Sequence, residues 1–236
     1  MYKHIENELL KLKNPNKAKI LQSFFKTGKG EYGEGDIFLG ITVPQQRNLV
    51  KKYWEDINLE DIQKLLKNQY HEFRMTGLLF LVQKYEKSNS TEKNKIFNFY
   101  LNNIKYVNSR DLVDLSCPKI IGDYLLTKNR KILYDFTKSE NLRTQRIAIV
   151  STYTFIKSGD FQDTIKISKL LLSHKHDLIH KAVGRMLREI GKKDENILIN
   201  FLENNASKMS RTTLRYAIEK FNKEQRKHFL SIKKTI

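Results

Sequence analysis

The 236-residue chain predicts an all-α fold: a curved solenoid of stacked antiparallel helical hairpins, in one domain over residues 1–236. Three observations lead there. A basic residue, Arg74, Arg110, Arg146, Lys181 and Arg215, recurs at intervals of 36, 36, 35 and 34 residues, near the start of an apolar stretch with helical spacing. A period of this size marks stacked helical pairs. Only three prolines occur, and two of them sit where helices begin. No stretch alternates cleanly enough to demand a strand.

The elements follow in chain order. Asn14-Pro15 and Thr42-Val43-Pro44 each offer a cap with proline in the first turn. Asn58 and Asp61 resemble a capping box for a helix ending at Leu66, and Ser90 can cap a segment to Asn102. Asn108 or Ser109 can open a segment from Arg110 to Leu126, which Pro118 should kink or break. Helices are then expected at 130–138, 142–157, 161–173, 177–191, 194–205, 209–221 and 223–233. The connectors Ser158-Gly159-Asp160, Ser173-His174-Lys175 and Lys192-Lys193 are short, which makes neighbouring helices antiparallel. One segment departs from the pattern. Four of the ten glycines lie between Gly28 and Gly35, ahead of Asp36. This polar loop lacks the ending of a phosphate-cradling P-loop. It is either a flap, with Tyr32 able to touch a ligand, or a long connection.

Lys plus Arg outnumber Asp plus Glu by 44 to 26, a formal charge of +18. Such a balance points to a polyanionic partner. Five cations at equivalent repeat positions would form a stripe suited to a phosphate backbone. The single cysteine, Cys117, excludes an intramolecular disulfide and a cysteine-based structural zinc site. The N-terminus has no apolar core like that of a signal peptide, and no apolar run reaches the ~18 residues of a membrane span. A cytoplasmic monomer is expected.

Arg110 and Asp114 are four apart, so they share a helix face; Asp111 points about a quarter-turn away. At a surface this pairing is worth only a few tenths of a kcal/mol. In a groove lined by Arg74, Arg146 and Lys181, a carboxylate weakens nonspecific phosphate binding and needs another reason to be there. Cleavage of an N-glycosidic bond supplies one. A fixed carboxylate stabilises the oxocarbenium-like sugar and can orient the attacking water. Composition alone supports only a helical-repeat nucleic-acid binder.

Five segments carry a resemblance: Phe38-Leu-Gly-Ile-Thr-Val-Pro44, His71-Glu-Phe-Arg74, Asn108-Ser-Arg-Asp-Leu-Val-Asp114, Gln145-Arg-Ile-Ala-Ile149 and Lys181-Ala-Val-Gly-Arg-Met-Leu-Arg-Glu189. Together they are similar to the AlkD-like HEAT-repeat DNA glycosylases, bacterial DNA alkylation repair enzymes, from about Lys17 to Phe221. The resemblance implies a HEAT-like, ARM-like superhelix and hydrolytic release of N3- or N7-alkylated purines from duplex DNA. It implies no metal and no organic cofactor. The family's catalytic aspartate falls on Asp114 and its site-organising arginine on Arg146. Arg74, Arg110, Lys181, Arg185, Arg188 and Arg215 would line the DNA groove. Such enzymes act without swinging the base into a pocket, unlike most glycosylases.

The chain departs from that pattern where the family has tryptophan, at Arg110, Arg185 and Arg143. Arginine grips phosphate but offers no negative π face to a cation. A noncatalytic DNA-binding paralogue on the same scaffold is therefore the alternative reading. A basic protein-binding scaffold is a third. His174, His176 and His180 form a cluster that lacks the acidic partner usual in a zinc site. Ser151, Ser168 and Cys117 have no histidine base nearby in sequence.

Overall fold

The computed structural model describes residues 1–29, 31 and 33–233. The reading of Tyr32 as a ligand contact lies outside the described residues. The described chain is helical, with no strand beyond a single bridge between Ile37 and Tyr70. Among the described residues, no helix is long and apolar enough to cross a membrane. Its contacts divide it into two compact units, Met1–Ser116 and Cys117–Ile236.

The first unit contains α1 (Tyr2–Lys11), α2 (Pro15–Phe25), α3 (Val43–Tyr53), α4 (Leu59–Leu66), α5 (His71–Lys87), α6 (Ser90–Asn102) and the start of α7 (Arg110–Cys117). The starts follow side-chain chemistry. Asn14 accepts from Lys17 N at 3.0 Å beside Pro15, and Asn58 accepts from Asp61 N at 2.8 Å. Gln45 reaches back to Thr42 N at 2.9 Å. Each bond satisfies an N–H that the first helical turn leaves without a partner. The cap of α6 is Asn89 rather than Ser90; its side chain accepts from Glu92 N at 3.0 Å. The amide oxygen of Asn89 reaches the N3 amide, so Ser90 is already inside the first turn.

Helix α5 forms the middle of this unit. Every residue from His71 to Val82 is buried, and the helix packs against α3, α4 and α6. A helix apolar on all sides belongs in a core. Its first turn carries His71, Glu72 and Arg74 inside as well. The irregular stretch 36–41 runs along that turn. Glu72 accepts from Leu39 N (2.9 Å), Gly40 N (2.8 Å) and Ile41 N (3.2 Å). Asn14 N donates to Leu39 O at 2.8 Å, which ties α2 to the same stretch. Gly40 has φ +83, and a Cβ there would lie 2.1 Å from Asn14 O and 2.7 Å from Ala18 N. Both the left-handed backbone and the space demand glycine. Gly40→Ala is expected to cost at least about 2 kcal/mol by a strain mechanism. A urea midpoint unchanged from the parent would contradict this.

The second unit contains α8 (Lys131–Thr137), α9 (Leu142–Ser151), α10 (Tyr153–Lys157), α11 (Gln162–Leu171), α12 (Asp177–Gly191), α13 (Glu195–Asn205), α14 (Arg211–Ala217) and α15 (Lys223–Ser231). Helix α12 is central and packs on α9, α11, α13 and α14. It buries Ile179, Ala182, Val183, Met186, Leu187 and Ile190, the i, i+3, i+4 stripe of an amphipathic helix. Gly184 lets α14 approach closely: a Cβ there would meet Thr213 O at 2.5 Å.

Two expectations are sharpened here. Pro118 ends the α-helix begun at Arg110, as expected, but not the helical path. The chain continues as a π-helical stretch, Pro118–Gly122, then a 3-10 turn, Leu125–Thr127. Proline cannot donate to the carbonyl four residues back and crowds it, and a wider turn relieves both problems. The hydroxyl of Thr154 satisfies the Pro118 carbonyl. The single helix expected over 142–157 is broken at Thr152, whose hydroxyl bonds back to Ile149 O at 2.7 Å. Such back-bonding competes with the ladder and bends helices. The lone cysteine, Cys117, is fully buried.

Candidate functional site

Helix α7 carries three charged side chains within five residues: Arg110, Asp111 and Asp114. Asp111 lies in the first turn. One of its oxygens accepts from the Ser109 hydroxyl (2.7 Å) and from Leu112 N (3.0 Å). The other accepts from His71 Nε2 at 2.9 Å. The opposite ring nitrogen, Nδ1, faces Asp36 at 3.2 Å. His71 is only 3 % exposed and stacks on Phe38, with ring centroids 4.4 Å apart.

Asp36 collects further donors: Arg74 Nη2 at 2.6 Å and Asn108 Nδ2 at 2.8 Å. Two cations thus meet two carboxylates inside the first unit. Burial pushes the His71 imidazole down from its ordinary value. Its hydrogen bonds to Asp111 and Asp36, with their charges, outweigh burial and raise the pKa to about 9. Burial works against ionised Asp36 too, but the His71 bond, the Arg74 charge and the Asn108 bond hold its carboxyl below the usual range. Asp111 is likewise held low against burial by the His71 bond and charge.

These directions fix a pH dependence. A raised histidine pKa stabilises the fold fully below the ordinary 6.5, and this contribution is lost as pH rises through about 9. Depressed carboxyl pKa values stabilise it above the ordinary 3.8 and lose their effect as pH falls below that. The cluster is therefore expected to stabilise most between pH 3.8 and 6.5. Denaturation midpoints of wild type and His71→Gln across pH 4 to 10 would check this. The gap between the two should narrow from 6.5 to 9; a constant gap would contradict a charged His71.

Arg74, expected in a DNA groove, requires a correction. It is 5 % exposed, with Nη1 donating to the carbonyls of Asn68 (2.8 Å) and Gln69 (2.9 Å) and Nη2 to Asp36. A guanidinium buried with partners for its ends is an internal cation, not a phosphate contact. Arg110 is half-buried, with its guanidinium over the rings of Phe24 (4.8 Å) and Phe25 (5.4 Å). Phe24 is itself 61 % exposed. Asp114 is half-buried, one turn along α7 from Arg110.

The other expected site residues belong to the second unit. Arg146, on α9, is 6 % exposed and donates to Leu178 O at 2.7 Å in the first turn of α12. Lys181, Arg185 and Arg188 lie half-buried on α12, and Arg215 lies exposed on α14. Lys181 pairs with Asp177 at 2.5 Å; Arg188 pairs with Glu219 and, at 3.3 Å, Glu189. The five periodic cations therefore do not share one environment: two are buried, two half-buried and one exposed. The three histidines have partners within the second unit. His174 Nε2 faces Gln145 Oε1 at 2.8 Å, and His176 caps α12 by accepting from Leu178 N at 3.1 Å. Among the described residues, no group of three or more His, Cys, Asp or Glu is placed to hold a metal ion.

Sequence reasoning gave His71 and Asp36 no role of their own. The signal was present in His71-Glu-Phe-Arg74, where three ionisable residues fall in the first turn of an otherwise apolar helix. Such residues must find partners when buried.

A family model described as "DNA alkylation repair enzyme" matches residues 5–221. No curated protein matches the sequence. Among solved structures, the chain is similar to one titled "Predicted DNA alkylation repair enzyme from Enterococcus faecalis". The TM-score is 0.71 at 18% identity, over 89% of this chain and 97% of that one. That likeness shows a shared fold.

Proposed function

The chain belongs to the family of DNA alkylation repair enzymes, and from that premise we propose that it hydrolyses the N-glycosidic bond of N3- or N7-alkylated purines in duplex DNA. The observation that carries this reading is Asp114, a half-buried carboxylate one helical turn from Arg110 in a chain of charge +18. A protein that only held phosphate would gain nothing from it. In the reaction, the bond from the sugar to the purine nitrogen breaks and the purine leaves with the bonding electrons. Asp114 stabilises the cationic sugar and orients the water that adds to it. An alkylated purine is already positively charged, so it needs little protonation as it leaves.

Arg146, buried and bonded to Leu178 O, orders the start of α12, which carries Lys181, Arg185 and Arg188. Arg110, Lys181, Arg185, Arg188 and Arg215 contact the DNA backbone on a HEAT-like scaffold, and Arg74 supports the fold from inside. Lys181 and Arg188 exchange their carboxylate partners for phosphate, which makes affinity fall steeply with salt. The protein acts in the cytoplasm as a monomer, with no cofactor. The test is to incubate it with alkylated genomic DNA and identify freed bases by mass spectrometry. Release of N3- or N7-methylpurines is expected; their absence would remove the glycosylase assignment.

A second reading, a noncatalytic DNA-binding paralogue, has one observation in its favour. Arg110 lies over Phe24 and Phe25. It thus sets a cation on aromatic faces that a positively charged base could otherwise use. This reading predicts salt-sensitive DNA binding, no preference for lesions and no freed base.

A further inference from the structure

The buried ionic cluster does more than bury charge, because of where its links end. Asp36 closes the glycine-rich loop, His71 opens α5 and Asp111 lies in the first turn of α7. Asn108, two residues ahead of α7, reaches the same Asp36 at 2.8 Å. The first turn of α7 is thus held twice, through Asn108 and through Asp111, to a pair on two other segments. Asp114 stands one turn beyond.

Packing does not fix that turn alone. Asp111 and His71 border a cavity of 290 Å³ whose other walls include Ile20, Leu21, Phe25 and Phe38. Close-packed interiors hold side chains by contact with little free space. Leu112 and Val113 pack this turn on its inner side, but Asp111 faces the cavity, where directed bonds rather than packing set its place. We infer that His71 is a positioning residue: the Asp36–His71–Asp111 latch fixes the first turn of α7 and with it the reach of Asp114 and Arg110. The inference rests on the proposed glycosylase reading for its effect on rate, and on geometry alone for its effect on α7.

The proton on His71 is part of the latch. Both ring nitrogens face carboxylates, and only the imidazolium donates from both. A neutral ring donates from one and turns a lone pair toward the other carboxylate. The charged groups facing it are Asp36 from the loop, Glu72 and Arg74 from α5, and Asp111 from α7; Lys17 of α2 lines the same cavity. Glu72 is turned to Leu39, Gly40 and Ile41, so the ring's direct partners are the two aspartates.

Two variants and two readouts test this. His71→Gln keeps one donor, and Asp111→Asn keeps the side-chain shape without the charge. Amide hydrogen exchange at residues 110–116 reads the latch without substrate. It should speed up at least tenfold in both variants while α12 amides are unchanged. Single-turnover release of N7-methylguanine from duplex DNA reads the consequence. The rate should fall at least tenfold at saturating protein, with DNA affinity within twofold. The wild-type rate should fall above about pH 9, and His71→Gln should lose that alkaline limb. Unchanged α7 exchange, or an alkaline limb retained in His71→Gln, would overturn the inference. A wild type that frees no base would overturn the glycosylase reading alone, since exchange would still decide the latch.

Discussion

Asp114→Asn should abolish purine release while leaving DNA affinity equal or slightly higher. Asparagine occupies the same volume and keeps a hydrogen-bonding oxygen, but it has no charge to set against a cationic sugar. Removing one preorganised electrostatic group costs about 10²- to 10³-fold in rate. At least that is expected for single-turnover release of N7-methylguanine. The affinity arm separates catalysis from binding. The variant removes an anion from a surface proposed to face phosphate, so repulsion decreases. Asp56→Asn, which removes an exposed carboxylate between α3 and α4, serves as the control for net charge. If Asp114→Asn bound DNA more weakly, the assigned geometry would be wrong. If it still freed base near the wild-type rate, Asp114 would not be catalytic.

Glu72→Ala should be the most destabilising single change in the first unit. One carboxylate, 1 % exposed, satisfies three successive backbone N–H groups. Each buried donor left without a partner costs about 1–3 kcal/mol, so a loss of about 3–9 kcal/mol is expected for the three. A whole domain is stable by only about 5–15 kcal/mol, and the variant would sit near unfolding. Glu72→Gln should fall between. Its oxygen can still serve Gly40 and Ile41, but its NH₂ would oppose Leu39 N. Urea titrations of the three proteins give the order. A loss below about 1 kcal/mol in the alanine variant would mean that the 39–41 stretch finds other partners. The effect would reach His71, because Phe38, which stacks on it, immediately precedes that stretch.

Much of the fold was legible from local chemistry. Pro15 and Pro44 lie in first turns as their positions imply, and the apolar stripe of 177–191 became a helix with those bounds. These features depend on residues within a few positions of one another. Thr152 was not legible as a break, because a threonine bonds backward only in some contexts. Pro118 could be foreseen to disturb its helix, but not to widen it. That outcome depends on Thr154, 36 residues away, which supplies a donor to its carbonyl.

The candidate site was less legible, for a related reason. Arg74, Arg146 and Arg215 look alike in a periodic reading. Their environments depend on distant partners: Asp36 for Arg74 and Leu178 O for Arg146. Repetition identifies equivalent places in a chain but not which cations face inward. Asp114 could be singled out because a carboxylate one turn from Arg110, in a chain of charge +18, requires explanation. His71 could not, since each of its carboxylate partners lies 35 or more residues away.

The complete burial of Cys117 has a practical consequence. With no other sulfhydryl in the sequence, maleimide chemistry on the native fold has nothing to attack. One cysteine engineered onto the surface would become a unique attachment point. A fluorophore or spin label could then be set beside α7 or on α12 without first stripping the background. The label's signal, taken with and without DNA, would report whether the surface around it meets DNA.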